Sequence, residues 1–345
     1  MAYAAISKPS LYMNTVLYTG NGSTQSITGV GFQPDLTWIK SRSYVDDHVL
    51  TDAVRGVTKT LFSNAINGEE TQAQGLTAFG ADGFSVGSMA EVNTNAGTIA
   101  SWNWKANGAG SANTDGSISS TVSVNTTAGF SIVKYTGTGS ADTIGHGLGA
   151  VPKMIISKRL DTTSYWITYH EAIGNDKELY LNDTSAAAAA ANTWNSTTPT
   201  SSVWSVKTDS NNTSGGSFIS YVFADVAGYS KFGSYTGNGN ANGTFVYTGF
   251  KPSFVLGKRT NSTEDWFMFD DKRDPYNVNY KLLYPNGNNA AYTGASDRND
   301  FLSNGFKMRG TDGKENGSGD SYIYMAFASE PLVANVGSSI PATAR

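Results

Sequence analysis

A pattern of about 100 residues occurs three times in the 345-residue chain, and it constrains the fold more than any other feature. Each copy begins with a Tyr-Thr-Gly turn, followed after 16 or 17 residues by a proline and six residues later by a lysine. These positions are Tyr18, Pro34 and Lys40 in the first copy, Tyr135, Pro152 and Lys158 in the second, and Tyr235, Pro252 and Lys258 in the third. Such matched spacings indicate a triplicated structural unit.

Short strands joined by tight turns account for the composition of each copy. The chain is rich in Gly (38), Tyr (18) and Phe (16), which favours pleated sheets whose turns need positive φ angles. Each copy closes with an aromatic run, TIASWNWKA, SFISYVFADV or SYIYMAFASE. We therefore predict an all-β protein of three tandem antiparallel β-sandwich repeats of the jelly-roll or lectin-like kind.

The same spacings predict the division of the chain into domains. The predicted divisions are an N-terminal docking arm (1–15), a first repeat (16–106), a linker (107–128), a second repeat (129–228), a third repeat (229–331) and a C-terminal tail (332–345). The linker is rich in Gly and Ser at its start and more strand-like towards its end. Because no linker separates the second and third repeats, we expect those two to pack as a rigid pair.

Charge and composition exclude several classes of partner. A net charge of −4 argues against a nucleic-acid partner, which normally requires a basic face. The absence of cysteine excludes disulfides and thiolate chemistry. No apolar run approaches the roughly 18 residues of a membrane span, so we expect no membrane insertion. The N-terminus also lacks the apolar run of a secretion signal.

The glycines of the repeated turn favour backbone geometry over ligand binding. A phosphate-binding loop requires a longer glycine pattern that leads into a helix. Gly20-Asn21-Gly22 leads instead into polar residues and a further strand, and Asn-Gly is a strong hairpin signal. We interpret the motif as the first turn of each unit.

No residue pattern typical of a catalytic centre is present in the sequence. His170 occupies the repeat position held by Asp52 and Asp270, and a general base or metal ligand is not ordinarily exchanged in this way. The run Asp265–Asp274 clusters acids beside Lys272 and Arg273, which is typical of a solvated turn whose charges neutralise one another. We therefore expect no enzymatic activity and no required cofactor.

Two weaker candidates concern ligands. Asp312, Glu315 and Asp320 lie in a glycine-rich loop whose oxygen atoms would suit Ca²⁺, although the loop lacks the standard calcium-binding pattern. Trp194 lies in a polar stretch with no counterpart in the other repeats. An aromatic ring presented on a polar loop can stack on a sugar or pack in an interface between chains, and it can also pack locally against its own segment. Trp194 is therefore the candidate ligand-binding residue, with local packing as the alternative.

Several longer strings resemble one protein family. LYTGNGSTQSITGVGFQPDLTWIKSRS, SWNWKANGAG, GFSIVKYTGTGSADTIGHGLGAVPKMIISKR and the final PATAR are similar to the multi-repeat virion structural proteins of marine tailed bacteriophages such as cyanophages. The resemblance covers nearly the whole chain and implies an external, tail-fibre-like virion component built of β-sandwich repeats. It supplies no catalytic residues.

Three hypotheses about function follow from these observations. The first is an external virion protein, made in the host cytoplasm and located on the virion exterior, that adheres to a host-surface glycan. Its expected partners are itself, as a homotrimer, and other virion proteins. The second is a capsid decoration or cement protein, and the third is a polysaccharide-degrading enzyme.

Overall fold

A computed structural model describes residues 4–293 and 299–331 of the chain. These residues form 26 strands, one four-residue α-helix and two short 3-10 helices, which confirms the prediction of an all-β protein. The strands pair in antiparallel ladders. Within the described ranges, no helix has the length and apolar character needed to cross a membrane.

The first segment (residues 13–104) follows a 3-10 helix at Pro9–Leu11 and includes α1 (Ala90–Asn93). Its strands are β1 (Met13–Thr19), β2 (Gln25–Thr28), β3 (Leu36–Ser41), β4 (Val49–Asp52), β5 (Lys59–Phe62), β6 (Glu70–Thr71), β7 (Leu76–Gly80), β8 (Gly83–Val86) and β9 (Thr98–Trp104).

The middle segment (residues 111–223) contains a 3-10 helix at Glu171–Ile173. Its strands are β10 (Ser111–Asn113), β11 (Ser120–Asn125), β12 (Phe130–Thr136), β13 (Asp142–Gly145), β14 (Met154–Arg159), β15 (Ile167–His170), β16 (Lys177–Tyr180), β17 (Ala188–Ala189), β18 (Val203–Val206) and β19 (Ser217–Phe223).

The third segment (residues 230–331) continues after a short turn. Its strands are β20 (Ser230–Thr236), β21 (Phe245–Tyr247), β22 (Phe250–Arg259), β23 (Trp266–Asp270), β24 (Asn299–Leu302), β25 (Gly305–Met308) and β26 (Ser321–Pro331).

Each segment contributes one larger and one smaller sheet. The larger sheets have the orders β1-β9-β3-β4-β5-β6, β10-β11-β12-β19-β14-β15-β16-β17 and β20-β26-β22-β23. In each larger sheet, the strand at the repeat proline (β3, β14 or β22) has two neighbours. One is the last strand of its segment, and the other is the strand that follows it in the chain. The smaller sheets have the orders β2-β8-β7, β13-β18 and β21-β25-β24.

The prolines lie near the start of β3, β14 and β22, the strands that occupy equivalent places in the three larger sheets. Pro34 and Pro152 each lie two residues before a strand, where the missing N–H disturbs no ladder. Pro252 lies inside β22, at a shift in its register with β26 that accommodates the proline.

The two faces of each larger sheet pack against different partners. One face packs against the smaller sheet of its own segment, giving a separate apolar cluster in each segment. The opposite faces of all three larger sheets meet in one shared cluster that includes Trp102, Tyr221 and Phe327. Burying these faces together removes the largest apolar surfaces of the chain from water.

Equivalent backbone hydrogen bonds close the three segments into a ring. The carbonyl two residues after each repeat lysine accepts an amide from a neighbouring segment, at 2.7–2.9 Å. The pairs are Glu69 N to Leu160 O, Ala187 N to Thr260 O, and Ala291 N to Arg42 O. Because the third pair joins the third segment to the first, the arrangement is cyclic and all three interfaces are of the same kind.

The structure differs from the predicted boundaries in one respect. Part of the predicted linker 107–128 forms β10 and β11, and β11 extends the larger sheet by pairing with β12 along its length. The alternating run Ser120–Asn125 buries Val122, which is the physical reason that this stretch is a strand.

The N-terminal arm packs on the body of the chain. Ala4 and Ile6 are buried, and the Ala5 amide donates to the Ala227 carbonyl at 3.0 Å, between the middle and third segments. The predicted tail 332–345 lies outside the described residues.

Candidate functional site

The tyrosines of the Tyr-Thr-Gly turns are anchored in the same way in all three segments. Each hydroxyl donates to a backbone carbonyl just before the last strand of its segment, at 2.6–2.7 Å. The pairs are Tyr18 to Val92, Tyr135 to Asn211 and Tyr235 to Glu315. Burial raises the pKa of all three hydroxyls, so they remain neutral donors at physiological pH.

The first glycine of each turn lies against backbone, which leaves no room for a side chain. A Cβ added to Gly20, Gly137 or Gly237 would lie 2.2–2.5 Å from a carbonyl oxygen. The second glycine of each turn has a positive φ angle of 63–71°. Backbone geometry accounts for both glycines.

A buried asparagine holds each of these turns, and the sequence analysis did not identify it. Asn212 accepts the Thr138 amide at 2.9 Å and donates to the carbonyls of Ser140 and Lys207, each at 2.7 Å. Asn93 and Asn316 make the equivalent three bonds in the other segments. The sequence offers one signal, an asparagine before the last strand of each segment. Asparagine is common throughout this chain, so this signal does not stand out.

The three repeat lysines lie at the interfaces between segments, and we call them the interface lysines. Lys158 Nζ donates to the Ile66 carbonyl of the first segment at 3.2 Å, and Lys258 Nζ donates to the Thr184 carbonyl of the middle segment at 3.2 Å. Lys40 Nζ donates to the Ser41 carbonyl at 2.6 Å. Burial lowers the pKa of each lysine to about 8, because desolvation penalises the ammonium form.

The large rings eight residues after these lysines also connect neighbouring segments. Trp166 donates its indole N–H to the Phe62 carbonyl at 2.8 Å, and Trp266 donates to the Tyr180 carbonyl at 2.9 Å. In the first segment the ring is His48, which burial keeps neutral by lowering its pKa, while the Tyr284 carbonyl of the third segment favours the protonated ring.

Two buried ion pairs face a neighbouring segment. One is at position 52 in the first segment, and the other is at position 270 in the third. Asp52 bonds Arg55 at 2.5 Å and accepts the Tyr221 hydroxyl of the middle segment at 2.9 Å. Asp270 pairs with Arg273 and accepts the Trp102 indole N–H of the first segment at 3.1 Å. Each carboxylate therefore has a cation three residues later and a neutral donor from the next segment.

The exchange of aspartate for His170 matches a change in the facing segment. Strand pairing makes Met325 the equivalent of Trp102 and Tyr221, and Met325 has no strong hydrogen-bond donor. His170 instead contacts the Tyr324 carbonyl through Nε2 at 3.2 Å, and Ile173 replaces the arginine. A neutral ring that donates to a carbonyl suits this environment, and burial lowers the pKa of His170 to about 4.

The acidic run Asp265–Asp274 is not the solvated turn that its composition suggested. Asp270, Asp271, Arg273 and Asp274 are all buried. Asp270 is held by the interface described above, and Asp274 accepts the Tyr280 amide at 2.9 Å. The shared core draws this run inward because Arg273 packs over the Trp102 ring, 5.5 Å from its centroid.

Trp194 does not present its ring to solvent. It is 1% exposed and packs edge-on against Tyr169, with ring centroids 5.6 Å apart, in the apolar cluster of the middle segment. The polar stretch around it turns the indole inward because the remaining residues there are too small or too polar to fill the core. Stacking of this ring on a sugar is incompatible with that position.

The three candidate calcium ligands are engaged with other groups. Asp312 forms an ion pair with Lys314 at 2.9 Å, and Asp320 forms one with Arg259 at 2.6 Å. Glu315 is fully buried. Among the described residues, no group of three or more His, Asp or Glu side chains is arranged to hold a metal ion.

Comparison with known proteins gives one family match. The model of a family described as "Domain of unknown function (DUF7483)" matches residues 8–331, which include all three segments. No curated protein and no solved structure matches the chain.

Proposed function

The chain belongs to the DUF7483 family, a domain of unknown function, and we propose that it is an external structural protein of a tailed-phage virion. In this proposal it forms an appendage on the virion exterior that adheres to a host-surface glycan. The sequence resemblance motivates the virion assignment, and the construction of the chain supports a structural role.

The proposal takes each segment to be one β-sandwich repeat of the lectin-like kind. The larger and smaller sheets of a segment enclose an apolar cluster of their own, as the two layers of a sandwich do. The three repeats then pack through their remaining larger-sheet faces around the shared cluster. The result is a rigid body with three outward-facing smaller sheets.

One observation carries the structural role. The three interface lysines and the pairs Asp52–Arg55 and Asp270–Arg273 are buried. Lys158, Lys258 and both aspartates make hydrogen bonds between segments. Their chemistry is used to hold the ring together. The outer surface is left largely to Ser, Thr, Asn and exposed aromatic residues, which suit binding without catalysis.

The proposed partners are other virion proteins and further copies of the chain, with a homotrimer as the expected assembly. The ring within one chain already buries the faces that single repeats would bury by associating. Self-association would therefore use outer surfaces of the ring.

Virion location is the direct test of the proposal. Purified virions would be examined by mass spectrometry for this chain and by immunogold labelling for its position. We expect the chain in the particle and the label on the tail or its appendages. Absence from the particle would refute the proposal, and labelling confined to the capsid would replace the appendage by the decoration hypothesis.

The decoration hypothesis requires short terminal segments that dock on a shell. Ala4 and Ile6 of the N-terminal arm are buried in the body of the same chain. Docking through that arm would therefore require its release, and this observation favours the appendage.

A further inference from the structure

The outward faces of the three smaller sheets differ, although their inward faces correspond. The first strand of each sheet places one buried apolar residue opposite a ring of its partner strand. These pairs are Ile27 with Phe84, Ile144 with Trp204, and Val246 with Phe306. They fix the equivalence of the neighbouring positions, which lie on the opposite face of each smaller sheet. One of these positions, Gly145, is itself buried.

The outward positions beside the buried residue are aromatic only in the third segment. The first segment has Ser26 and Thr28 there, and the middle segment has Thr143 and Gly145. The third segment has Phe245 and Tyr247, which are 44% and 53% exposed. Since the inward packing is alike in all three, the aromatic residues serve something other than the core.

Phe245 and Tyr247 stand side by side on one face of β21. Residues two apart on a strand are about 7 Å apart and share a face. Across the ladder, Tyr247 lies opposite Gly305, so no side chain stands beside the tyrosine ring on the neighbouring strand. A Cβ on Gly305 would lie 2.0 Å from the Val246 carbonyl oxygen and 3.1 Å from the Phe245 ring, so glycine is required there and the Phe245 ring lies against it.

Cations border the two rings. Lys307 lies directly opposite Phe245, and its Nζ donates to Asn242 Oδ1 at 2.6 Å. Arg309 follows two residues later, with Asp300 as its ion-pair partner at 3.6 Å. Asp300 also lies directly opposite Lys307 across the β24–β25 ladder. Counted over the described residues of this sheet, the two cations Lys307 and Arg309 lie beside this one carboxylate and give the face a positive charge on a chain whose net charge is −4.

We propose that this face of the third segment, formed by Phe245, Tyr247 and Lys307, binds an acidic saccharide. The exposed rings stack on the apolar C–H faces of sugar rings, and Lys307 pairs with a carboxylate or sulfate of the saccharide. The charge complementarity selects an anionic chain over a neutral one. Two rings with a polar border form a narrow strip, smaller than the 20–30 residues a side of a typical stable protein interface. This inference rests on the proposed adhesion function and names its site and ligand class.

The smaller sheets themselves supply matched variants for the test. Phe245→Ser with Tyr247→Thr introduces the residues of the first segment, and Lys307→Ser introduces the serine found at the equivalent positions, Ser85 and Ser205. Tyr276→Ser removes a more exposed aromatic residue (77% exposed) outside this face. Circular dichroism and urea unfolding would verify that each variant retains its fold.

Binding would be measured by calorimetry on the full chain with an oligogalacturonate, a sulfated oligosaccharide and a neutral cello-oligosaccharide. We expect an acidic probe to bind and its affinity to fall roughly tenfold or more in the double variant and in Lys307→Ser, with Tyr276→Ser unchanged. Binding should also weaken with salt. Failure of both acidic probes to bind, or equal binding by the folded double variant, would overturn the proposal. Capture of a protein partner through Phe245 and Tyr247 without saccharide binding would overturn it as well.

A host-adsorption assay separates this proposal from the proposed function. If the wild-type chain and the double variant block phage adsorption equally, adhesion is supported and this site is refuted. If the chain is absent from virions but binds an acidic saccharide through these residues, the site stands and the virion function fails.

Discussion

Replacing His170 by aspartate tests why one repeat position carries different residues. In wild type, the His170 ring accepts the Ala172 amide at 3.1 Å through Nδ1, and its Nε2 faces the Tyr324 carbonyl. Aspartate could still accept that amide, as Asp52 accepts the Val54 amide at 3.1 Å. Its second oxygen, however, would face a carbonyl oxygen, and Ile173 stands where the other segments have arginine.

The expected cost follows from the burial of that position. His170 is almost completely buried, so the substituted carboxylate would lack both water and a cation. Leaving a buried charge without its partner costs about 3–5 kcal/mol. We expect His170→Asp to lower the free energy of unfolding by about this amount at pH 7, and by less near pH 4, where a protonated carboxyl can donate to the carbonyl.

Urea unfolding followed by tryptophan fluorescence would measure this effect. Ser201→Asp adds the same charge at an exposed position and is the matched control. A triple variant combines His170→Asp with Ile173→Arg and Met325→Tyr, and so reproduces the set Asp52, Arg55 and Tyr221. We expect it to recover at least part of the free energy of unfolding that the single variant loses. A stable single variant, or a triple variant no better than the single one, would refute the reasoning.

Three further predictions concern the core of the ring. The interface lysines have a native pKa of about 8, whereas the ordinary lysine value is 10.5. Between these two pH values the unfolded chain binds more protons than the folded chain does. The free energy of unfolding should therefore rise from pH 8 to 9.5, by about 2 kcal/mol per lysine. Urea unfolding would show a smaller rise in Lys158→Met, and a flat profile in wild type would contradict the assignment. Gly237→Ala forces a Cβ to 2.3 Å from the Gly317 carbonyl oxygen and should cost about 1–3 kcal/mol, whereas Gly80→Ala, with 3.6 Å available, should change the unfolding midpoint little. Trp194→Ala should lower the free energy of unfolding by about 3–5 kcal/mol, and an unchanged midpoint would mean that its ring is not in the core.

The local features of the fold are those that the sequence predicts well. Turns that need glycine and strands that begin after a proline depend on nearby residues, so their pattern is visible in Tyr18–Gly22 and around Pro152. The all-β prediction follows from the same signals. The predicted linker differed because its last part alternates like a strand, and the sheet beside it offered an edge to pair with.

The contacts between segments could not be predicted in this way. Asp270 and Trp102, which form a hydrogen bond with each other, are 168 residues apart in the chain, and nothing local indicates which segment faces which. The exchange of aspartate for His170 is explained only by Met325 across the interface. The sequence left both ligand binding and local packing open for Trp194, because a polar sequence context does not determine where the largest apolar side chain of a loop packs.

Hydrogen exchange under increasing urea tests most directly whether the three segments form one closed ring. Mass spectrometry of peptides from β9, β19 and β26, the last strands of the three segments, would give the opening free energy of each. We predict the same value for all three, because these strands share one apolar cluster and their segments are joined at three equivalent interfaces. A segment that opens at a clearly lower free energy while the other two stay protected would contradict the ring.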